Sequence, residues 1–264
     1  MDKYYSGEYL YGDDFDLKQI ESWFEDEKEG YAELGAKEKE SYKYDYHSLN
    51  KICAYNSLKM KEVKRVLGVG SAYGDELKPI LKVAKKITIL EPSGAFTNTD
   101  IEGVSCEYVM PEISGEMKFN NDEFDLITCF GVLHHIPNVS FVISEITRCL
   151  SSNGTALIRE PITSMGGWGG KRPGLTKRER GIPLDVFNDI LEKSGLEVVK
   201  KTYCVFPPLA VICGRFNIPL FNSSVLVYLD IILSRLFLFN YKYHAEGTWD
   251  KFRPGSVFYV LKKK

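Results

Sequence analysis

The stretch RVLGVGSAYGDEL, residues 65–77, joins a short apolar run to a helical pattern through a turn that contains Gly68, Gly70 and Gly74. When a strand leads into a helix through glycines, bare backbone N–H groups and the positive helix end can approach a ligand closely. The spacing G-x-G-x-x-x-G differs from the G-x-G-x-x-G fingerprint of pyrophosphate-binding turns. The turn therefore predicts a nucleoside-type ligand, and glycines that serve helix packing alone are the alternative.

The residues from Val63 onward alternate short β-branched runs with helical stretches. This alternation predicts an α/β fold, with a parallel sheet covered by helices on both faces. The predicted strands are 65–69, 86–91, 104–110, 124–129, 155–160, 196–205 and 257–261. The predicted helices are 17–34, 46–60, 73–83, 139–150 and 184–194.

Composition excludes several classes of protein. Hydrophobic residues at 44% and charged residues at 27% of the 264 residues are typical of a folded globular chain. A formal net charge of −2 provides no overall field that would attract nucleic acid. Six cysteines form no C-x-x-C pair, and the N-terminus lacks the basic and apolar regions of a secretory signal. We therefore expect a reduced, cytoplasmic protein with no structural metal site.

Further polar and aromatic residues follow the predicted strands at the same edge of the sheet. Glu91 ends the second strand, and a carboxylate at this place can accept both hydroxyls of a ribose. Glu112 follows the third strand, where an acid can meet an adenine amino group. Phe130 and Gly131 end the fourth strand in FDLITCFGVLHHIPN, and LSSNGTALIREP supplies a turn before the fifth strand.

This order of motifs resembles the class I S-adenosylmethionine-dependent methyltransferases, in particular the broad methyltransferase type 11 group that acts on small molecules and sugars. The resemblance covers about residues 63–200. It implies a Rossmann-like, seven-stranded, mostly parallel sheet whose last strand is antiparallel, with S-adenosylmethionine bound across the carboxyl ends of the first strands. The cofactor-binding residues it implies are Gly68, Gly70, Ser71, Gly74, Glu91, Pro92, Glu112, Phe130 and Gly131.

Two positions depart from the family pattern. Gly68 stands where the first motif often has an acid, and Ala72 replaces the middle glycine. The first change removes a possible contact to the amino-acid part of the cofactor, whose amine is then held in another way, for instance by backbone carbonyls. We expect a Cβ at Gly70 to occupy the space of the cofactor itself.

Three residues at the same edge are candidates for a general base. Methyl transfer requires alignment of the acceptor with the methyl group, and an alcohol acceptor also benefits from a base. His134 and His135 follow the fourth strand, and Glu160 closes the fifth. The structural alternative is that one histidine covers the cofactor while the other packs or caps a helix. The chain lacks an N/D-P-P-Y/F element after the fourth strand, so O-methylation is the predicted reaction.

A glycine-rich and basic loop follows the fifth strand. It reads TSMGGWGGKRPGLTKRER and brings Lys171, Arg172, Lys177, Arg178 and Arg180 close together. A flexible hinge followed by guanidinium groups can close over a phosphorylated or carboxylated acceptor. The alternative is a solvated basic loop.

The segments outside the core suggest four regions. These are an acidic, tyrosine-rich helical cap at 1–62, the cofactor-binding core at 63–205, a substrate-recognition insertion at 206–255, and the last strand of the sheet at 256–264. The segment 206–219 is expected to form an irregular apolar wall. The apolar run within 223–244 is too short to cross a bilayer, so we expect a helix buried in a core or dimer interface, or one lying on a membrane surface.

Together these patterns predict an O-methyltransferase for a small-molecule or glycan-type acceptor, possible partners being a lipid-linked saccharide, a membrane surface or a second copy of the chain. A non-catalytic member of the fold that binds cofactor or a partner protein is the first alternative. A nicotinamide-dependent oxidoreductase is the second. The glycine spacing disfavours it, and its Tyr-x-x-x-Lys pair, Tyr55 and Lys59, precedes the glycine turn.

Overall fold

The computed structural model describes residues 2–30, 42–58, 62–168 and 172–264. Its strands are β1 (Val63–Val69), β2 (Ala84–Leu90), β3 (Asp100–Ile101), β4 (Val104–Val109), β5 (Phe124–Phe130), β6 (Leu150–Pro161), β7 (Leu196–Cys204) and β8 (Ser256–Lys263). Its α-helices are α1 (Asp2–Tyr5), α2 (Leu17–Glu27), α3 (His47–Cys53), α4 (Val139–Cys149), α5 (Leu184–Lys193), α6 (Pro207–Arg215) and α7 (Ser224–Leu236).

Within these residues the strands form one eight-stranded sheet in the order β3-β4-β2-β1-β5-β6-β8-β7. The pairings of β4, β2, β1, β5 and β6 are parallel, whereas β8 runs antiparallel to both β6 and β7. All seven predicted strands are present and the last strand is antiparallel, so the predicted fold class is confirmed. The additional strand is the two-residue β3, antiparallel to β4.

The sheet has a hydrophobic core on each face. Neighbouring residues of β1 point to opposite faces, so Leu67 joins one core and Val66 the other. Residues of α4 and α5 cover the first face, and residues of α3 and α7 cover the second. All six cysteines are buried, as expected for small core residues. Helices therefore cover both faces, as predicted.

The helix predicted over 73–83 is the main difference in secondary structure. Only a short 3-10 helix, Asp75–Ile80, forms there. It contains Pro79, which lacks a backbone N–H and disfavours a continuous α-helix. The helices predicted over 17–34 and 46–60 appear as α2 and α3, and their residues 31–34 and 59–60 lie outside the described residues.

The glycines of the turn after β1 are required by the protein's own packing. A Cβ on Gly74, whose φ is +81°, would lie 2.2 Å from Cδ1 of Ile101. A Cβ on Gly70 would lie 2.6 Å from Cγ2 of Val132. The expectation that the cofactor itself excludes a side chain at Gly70 therefore needs correction, because a side chain of the protein already fills that space.

The insertion between β7 and β8 packs on the sheet through one side of α7. The buried Asp230 carboxylate accepts hydrogen bonds from the backbone N–H groups of Val205 and Phe206, both at 2.7 Å. Val227 and Ser234 on the same side are fully buried. The other side of α7 is exposed, so the expectation of a buried helix holds for one side only. No helix of the described residues is long and apolar enough to cross a membrane.

We expect Gly74→Ala to lower the free energy of unfolding by about 2–4 kcal/mol, since the new Cβ meets Ile101 and the left-handed backbone is strained. Gly103→Ala is the matched control. Its φ is +84°, but no atom lies within 4 Å of the place that its Cβ would take, so only the backbone strain of about 1 kcal/mol applies. Urea unfolding followed by circular dichroism measures both variants. Equal losses would show that contact with Ile101 does not matter.

Candidate active site

A cavity of about 430 Å³ opens at the carboxyl ends of β1, β2 and β5, within the size range of cofactor and ligand sites. Helix α2 and the tyrosines that precede α3 cover it from the N-terminal side. Its lining includes Ile20, Trp23, Phe24, Glu27, Tyr44, Tyr46, Gly70, Ser71, Ala72, Glu76, Glu91, Pro92, Glu112, Phe130, Gly131, His134, His135, Arg159 and Glu179. The cavity is therefore open at the edge where the sequence predicts the cofactor.

Glu91 lies directly after β2 with its carboxylate next to the glycine turn. It accepts hydrogen bonds from the backbone N–H groups of Ala72, at 3.1 Å, and Ser93, at 3.2 Å. Burial raises the pKa of Glu91 to about 7, against the opposing effect of these two donors. The two N–H groups fix the carboxylate at the cavity wall, where its remaining acceptor capacity can serve a ligand hydroxyl.

The other predicted cofactor residues divide into two groups. Pro92, Glu112, Phe130 and Gly131 line the cavity together with Gly70 and Ser71, whereas Gly68 and Gly74 are absent from its lining. A Cβ on Gly68 would lie 2.3 Å from Oγ of Ser71. Gly68 and Gly74 thus shape the turn without facing the cavity. Glu112 forms an ion pair with Lys118 at the outer rim.

Glu76 is a site residue that the sequence patterns did not single out. It is 4% exposed, and its Oε1 accepts hydrogen bonds from Ser71 Oγ, at 2.8 Å, and Thr128 Oγ1, at 2.9 Å. Burial raises the pKa of Glu76 to about 7, although both hydroxyls and the charge of Arg159 lower it. The sequence offered one hint, because Glu76 lies two residues after the last glycine of the turn.

Arg159, two residues before the end of β6, is the second site residue that the sequence patterns did not single out. Its guanidinium carbon lies 3.9 Å from the ring centre of Tyr46, and the side chain is 7% exposed. Its hydrogen bonds are long, 3.4 Å to Oδ1 of Asn50 and 3.5 Å to the carbonyl of Phe130. A buried cation with such weak partners faces the cavity from the side of α3.

Glu160 points to the opposite face of the sheet from Arg159 and is fully buried. Its carboxylate accepts hydrogen bonds from the backbone N–H groups of Val132 and Leu133, both at 2.8 Å, and of His134, at 3.3 Å, and it contacts His134 Nδ1 at 2.8 Å. It does not line the cavity. This placement argues against Glu160 as a base for an acceptor and makes it a residue that positions the histidine turn.

His134 lies between two carboxylates. Its Nδ1 contacts Glu160 Oε2 at 2.8 Å, and its Nε2 contacts Glu179 Oε1 at 3.3 Å. Burial alone would lower the pKa of His134, but the hydrogen bonds and charges of both acids outweigh burial and raise it to about 9. His134 is therefore an imidazolium at neutral pH, and this form cannot accept a proton.

His135 has the opposite protonation state although the two rings are only 4.1 Å apart. Burial and the positive charge of His134 lower its pKa. Its Nδ1 lies 2.8 Å from Glu27 Oε2 and 3.2 Å from Thr176 Oγ1. Because a carboxylate only accepts, the proton of neutral His135 is assigned to Nδ1. Nε2 has no hydrogen-bond partner among the described residues and keeps a free lone pair.

The basic loop after β6 holds the histidine turn in place instead of forming an open anion site. Arg180 is fully buried and donates hydrogen bonds to the backbone carbonyls of Tyr11, Leu133, His134, Ile136 and Pro137. Arg172 donates to carbonyls of its own loop, and Lys177 and Arg178 pair with Asp26 of α2. The expectation of guanidinium groups that close over a phosphorylated acceptor is thus not met. Lys171 lies outside the described residues.

One further expectation also changes. The segment 206–219, expected as an irregular wall, folds in part as α6, and its residues do not line the cavity. Tyr55 is buried and donates from its hydroxyl to the carbonyl of Glu76 at 2.8 Å. Its hydroxyl therefore serves the packing of the glycine turn. Lys59, the other residue of the Tyr-x-x-x-Lys pair, lies outside the described residues.

The arrangement at the histidines also has the dimensions of a cation site. Ligand atoms of His134, His135 and Glu179 all lie within 4.8 Å of one another. The His134 nitrogens already contact Glu160 and Glu179, and His135 Nδ1 contacts Glu27. These contacts already engage three of the four histidine nitrogens and leave only Nε2 of His135 without a partner among the described residues, so the geometry favours a hydrogen-bonded charge network over a cation held by all three residues.

We expect the imidazole of His134 to titrate near pH 9 and to stay protonated at pH 7, because Glu160 and Glu179 contact both its nitrogens. This pKa lies above the ordinary 6.5, so the resulting stabilisation is fully present below about pH 6.5 and is lost as the pH rises through about 9. Two-dimensional NMR of labelled histidine measures the titration. Glu179→Gln should lower the value, and titration of His134 at or below 6.5 would contradict the network.

A family model described as a methyltransferase domain matches residues 41–201, more than half of the chain. No curated protein matches the chain. One similar structure is an S-adenosylmethionine-dependent methyltransferase from Mesorhizobium loti, 13% identical, with a TM-score of 0.55, covering 82% of this chain and 98% of that one.

Two other solved structures are similar to the chain. One is phosphoethanolamine N-methyltransferase 2 of Haemonchus contortus in complex with S-adenosyl-L-methionine, 16% identical, with a TM-score of 0.54, covering 81% of this chain and 52% of that one. The other is the [4+2]-cyclase SpnF, 16% identical, with a TM-score of 0.52, covering 81% of this chain and 79% of that one. At these identities the likeness shows the fold alone. The family match confirms the resemblance to class I S-adenosylmethionine-dependent methyltransferases, and the chain belongs to the methyltransferase-domain family.

Proposed function

We propose that this protein methylates a hydroxyl oxygen of a small-molecule or glycan-type acceptor, with His135 as the general base. The observation that carries the proposal is the position of the His135 imidazole at the cavity, with Nδ1 held by Glu27 and Nε2 without a partner among the described residues, while burial and the charge of His134 lower its pKa. A neutral histidine beside a cofactor site has the protonation state that a base for an alcohol requires.

The residues at the other end of the cavity fit an adenosyl group. The Glu91 carboxylate, fixed by Ala72 and Ser93, has acceptor capacity left for ribose hydroxyls, and Glu112 lines the cavity with a carboxylate that can accept a hydrogen bond from an adenine amino group. Phe130 ends β5, and it and Gly131 line the same cavity shortly before the histidines in the chain. When bound, S-adenosylmethionine supplies a methyl group activated by a positively charged sulfur. We assign these residues to its binding.

Glu27 and His134 prepare His135 for its role in different ways. Glu27, from α2, fixes the ring tautomer by accepting from Nδ1, so that Nε2 can take the proton of the acceptor hydroxyl. His134 keeps its own proton, and its positive charge favours the neutral form of His135 before the reaction. Once His135 is protonated, Glu27 offsets the new charge, in the way a carboxylate supports a histidine base.

The walls near the histidines favour an acceptor without a large charge. Ile20, Trp23 and Phe24 of α2 present aliphatic and aromatic surface to the cavity. The basic side chains that the structure describes in the neighbouring loop are already bonded within the protein, so they provide no argument for a phosphate group on the acceptor. A phenol, or a sugar hydroxyl with its apolar ring face, suits these walls.

We expect His135→Gln to lower the turnover rate by about 10²–10⁴-fold with cofactor affinity unchanged, since general bases contribute about this much. Glu27→Gln should show a smaller loss. Because burial and the charge of His134 lower the pKa of His135 below its ordinary value of 6.5, the rate should hold as the pH falls to about 6.5 and drop only at lower pH, where His135 gains a proton. Release of S-adenosylhomocysteine with a panel of sugars, nucleotide sugars, phenols and amines measures all of this.

His244→Gln is the control, because His244 contacts Ser164 and does not line the cavity. Full turnover in His135→Gln would contradict the assigned base. Loss of turnover after treatment with a chelator, restored by a divalent cation, would replace the base with a cation at the histidines. A methylated amine as the only product would contradict O-methylation, whereas the family assignment would stand.

A further inference from the structure

The buried charges of Glu76 and Arg159 lie at the same cavity without pairing with each other. Both side chains are at least nine-tenths buried, and both line the cavity. No ion pair within 4.0 Å joins them in the described part of the chain, yet the charge of Arg159 acts on Glu76. Buried charges that lack an opposite charge at ion-pair distance are costly, so this pair calls for a ligand that neutralises both.

Each of the two groups has hydrogen-bonding capacity to spare. The hydrogen bonds of Glu76 both go to Oε1, from Ser71 and Thr128, and Oε2 has no hydrogen-bond partner among the described residues. Arg159 has five N–H donors and makes only two hydrogen bonds, at 3.4 Å and 3.5 Å, within the described part of the chain. The Glu76 carboxylate, which can accept, and the Arg159 guanidinium, which can donate, thus face the same cavity.

We propose that Glu76 and Arg159 bind the amino-acid end of the cofactor, Glu76 taking the α-ammonium group and Arg159 the α-carboxylate. A zwitterion supplies one charge of each sign on neighbouring atoms, which matches the charges of the site. The assignment rests on cofactor binding at this cavity and adds which residues hold its charged end.

The glycine at position 68 explains why Glu76 supplies the carboxylate for the ammonium group. A side chain at position 68 would collide with Ser71, whose hydroxyl donates to Glu76. The carboxylate of Glu76 is therefore placed over the end of β1 by Ser71 and by Thr128 of β5. Tyr46 stacks on the guanidinium of Arg159 at 3.9 Å and holds its plane.

Two ligands that differ only in the amino-acid part test the proposal. S-adenosylhomocysteine carries the ammonium and carboxylate groups, and 5′-methylthioadenosine lacks both. We expect Glu76→Gln and Arg159→Met to weaken S-adenosylhomocysteine about tenfold to a hundredfold in calorimetry, since hydrogen bonds to charged groups are lost. The affinity for 5′-methylthioadenosine should stay within about twofold of the parent protein.

Glu91→Gln is the control, because a ribose contact is common to both ligands and both should weaken together. Unchanged affinity for S-adenosylhomocysteine in the Glu76 and Arg159 variants would overturn the assignment, and so would equal weakening of both ligands. A parent protein that binds neither ligand would overturn cofactor binding itself. The two failures are thus distinguishable.

A separate observation concerns the insertion, where α7 exposes an apolar stripe along its whole length. Val225, Tyr228, Ile232 and Leu236 recur at helical spacing and are 54–78% exposed. More exposed apolar residues lie in and after α6 and beyond α7. They are Val211, Ile212, Phe216, Ile218, Phe239 and Trp249. Exposed apolar surface of this extent marks an interaction site.

The charges around this surface indicate its partner. Between residues 206 and 252 the exposed charged side chains are Arg215, Arg235, Lys242, Glu246 and Lys251, four of these five being basic, whereas Asp230 and Asp250 are buried. Arg215 and Arg235 have no ion-pair partner in the described residues. A two-fold contact between copies of the chain would bring these like charges together, whereas an anionic surface would attract them.

We propose that α6 and α7 dock on an anionic lipid bilayer. The stripe of α7 inserts among the lipid headgroups, with Tyr228, Phe239 and Trp249 as aromatic anchors, and the arginines contact lipid phosphates. The helix is too short to span a bilayer, so the contact lies at the surface. Docking of this kind would bring the methyltransferase to acceptors carried on lipid.

Sedimentation with lipid vesicles tests the docking surface. We expect the protein to sediment with vesicles that contain phosphatidylglycerol and to be released at high salt, while pure phosphatidylcholine vesicles retain much less of it. The variant Ile232→Ser with Leu236→Ser should lose binding. Val199→Ser is the matched control, because Val199 is 59% exposed on the edge strand β7.

Light scattering of the vesicle-free protein completes the test. A dimer that Ile232→Ser with Leu236→Ser dissociates would overturn the proposal and identify a second copy as the partner. A monomer that stays in the supernatant with every vesicle type would overturn it as well. Equal loss of vesicle binding in Val199→Ser would show that the α7 stripe has no special role.

Discussion

The hydrogen bonds to the buried Glu160 carboxylate are the constraint on which the position of the two histidines at the cavity depends. Three backbone N–H groups of the turn after β5 and one imidazole nitrogen converge on it. A buried carboxylate needs such donors, and the turn needs an acceptor for N–H groups that no strand satisfies. Each side therefore fixes the other, and the turn has one position relative to β6. The places of both histidines follow from this.

A second layer of charge then separates the roles of two adjacent residues of the same type. His134 has an acid at each ring nitrogen and keeps its proton, and His135 lies beside that positive charge and loses its own. Glu27 reaches His135 from α2, while Arg180 holds the carbonyls on the other side of the turn. The N-terminal segment is thus part of the candidate reaction site as well as a cover for it.

The sequence located the edge of the sheet correctly and several individual side chains incorrectly. The predicted strands ended at or shortly before Glu91, Phe130 and the histidines, because continuous apolar runs followed by polar residues mark the ends of buried parallel strands. Glu160 was placed at the right edge, but side chains alternate across a strand and it points away from the cavity, whereas its neighbour Arg159 points into it. Glu76 was missed because it follows the glycine motif and matches none of its positions.

The sequence alone determined the α/β class, the order of the motifs and the family to which the chain belongs, since these depend on local hydrophobic periodicity and on short motifs. Only the tertiary structure decided which charged groups meet, because Glu27, Glu179 and Arg180 reach the histidine turn from segments far apart in the chain. It also decided that the basic side chains described in the loop after β6 bond to other groups of the protein, and that one side of α7 is exposed. Protonation and exposure are properties of three-dimensional neighbours, and the chain order does not specify those neighbours.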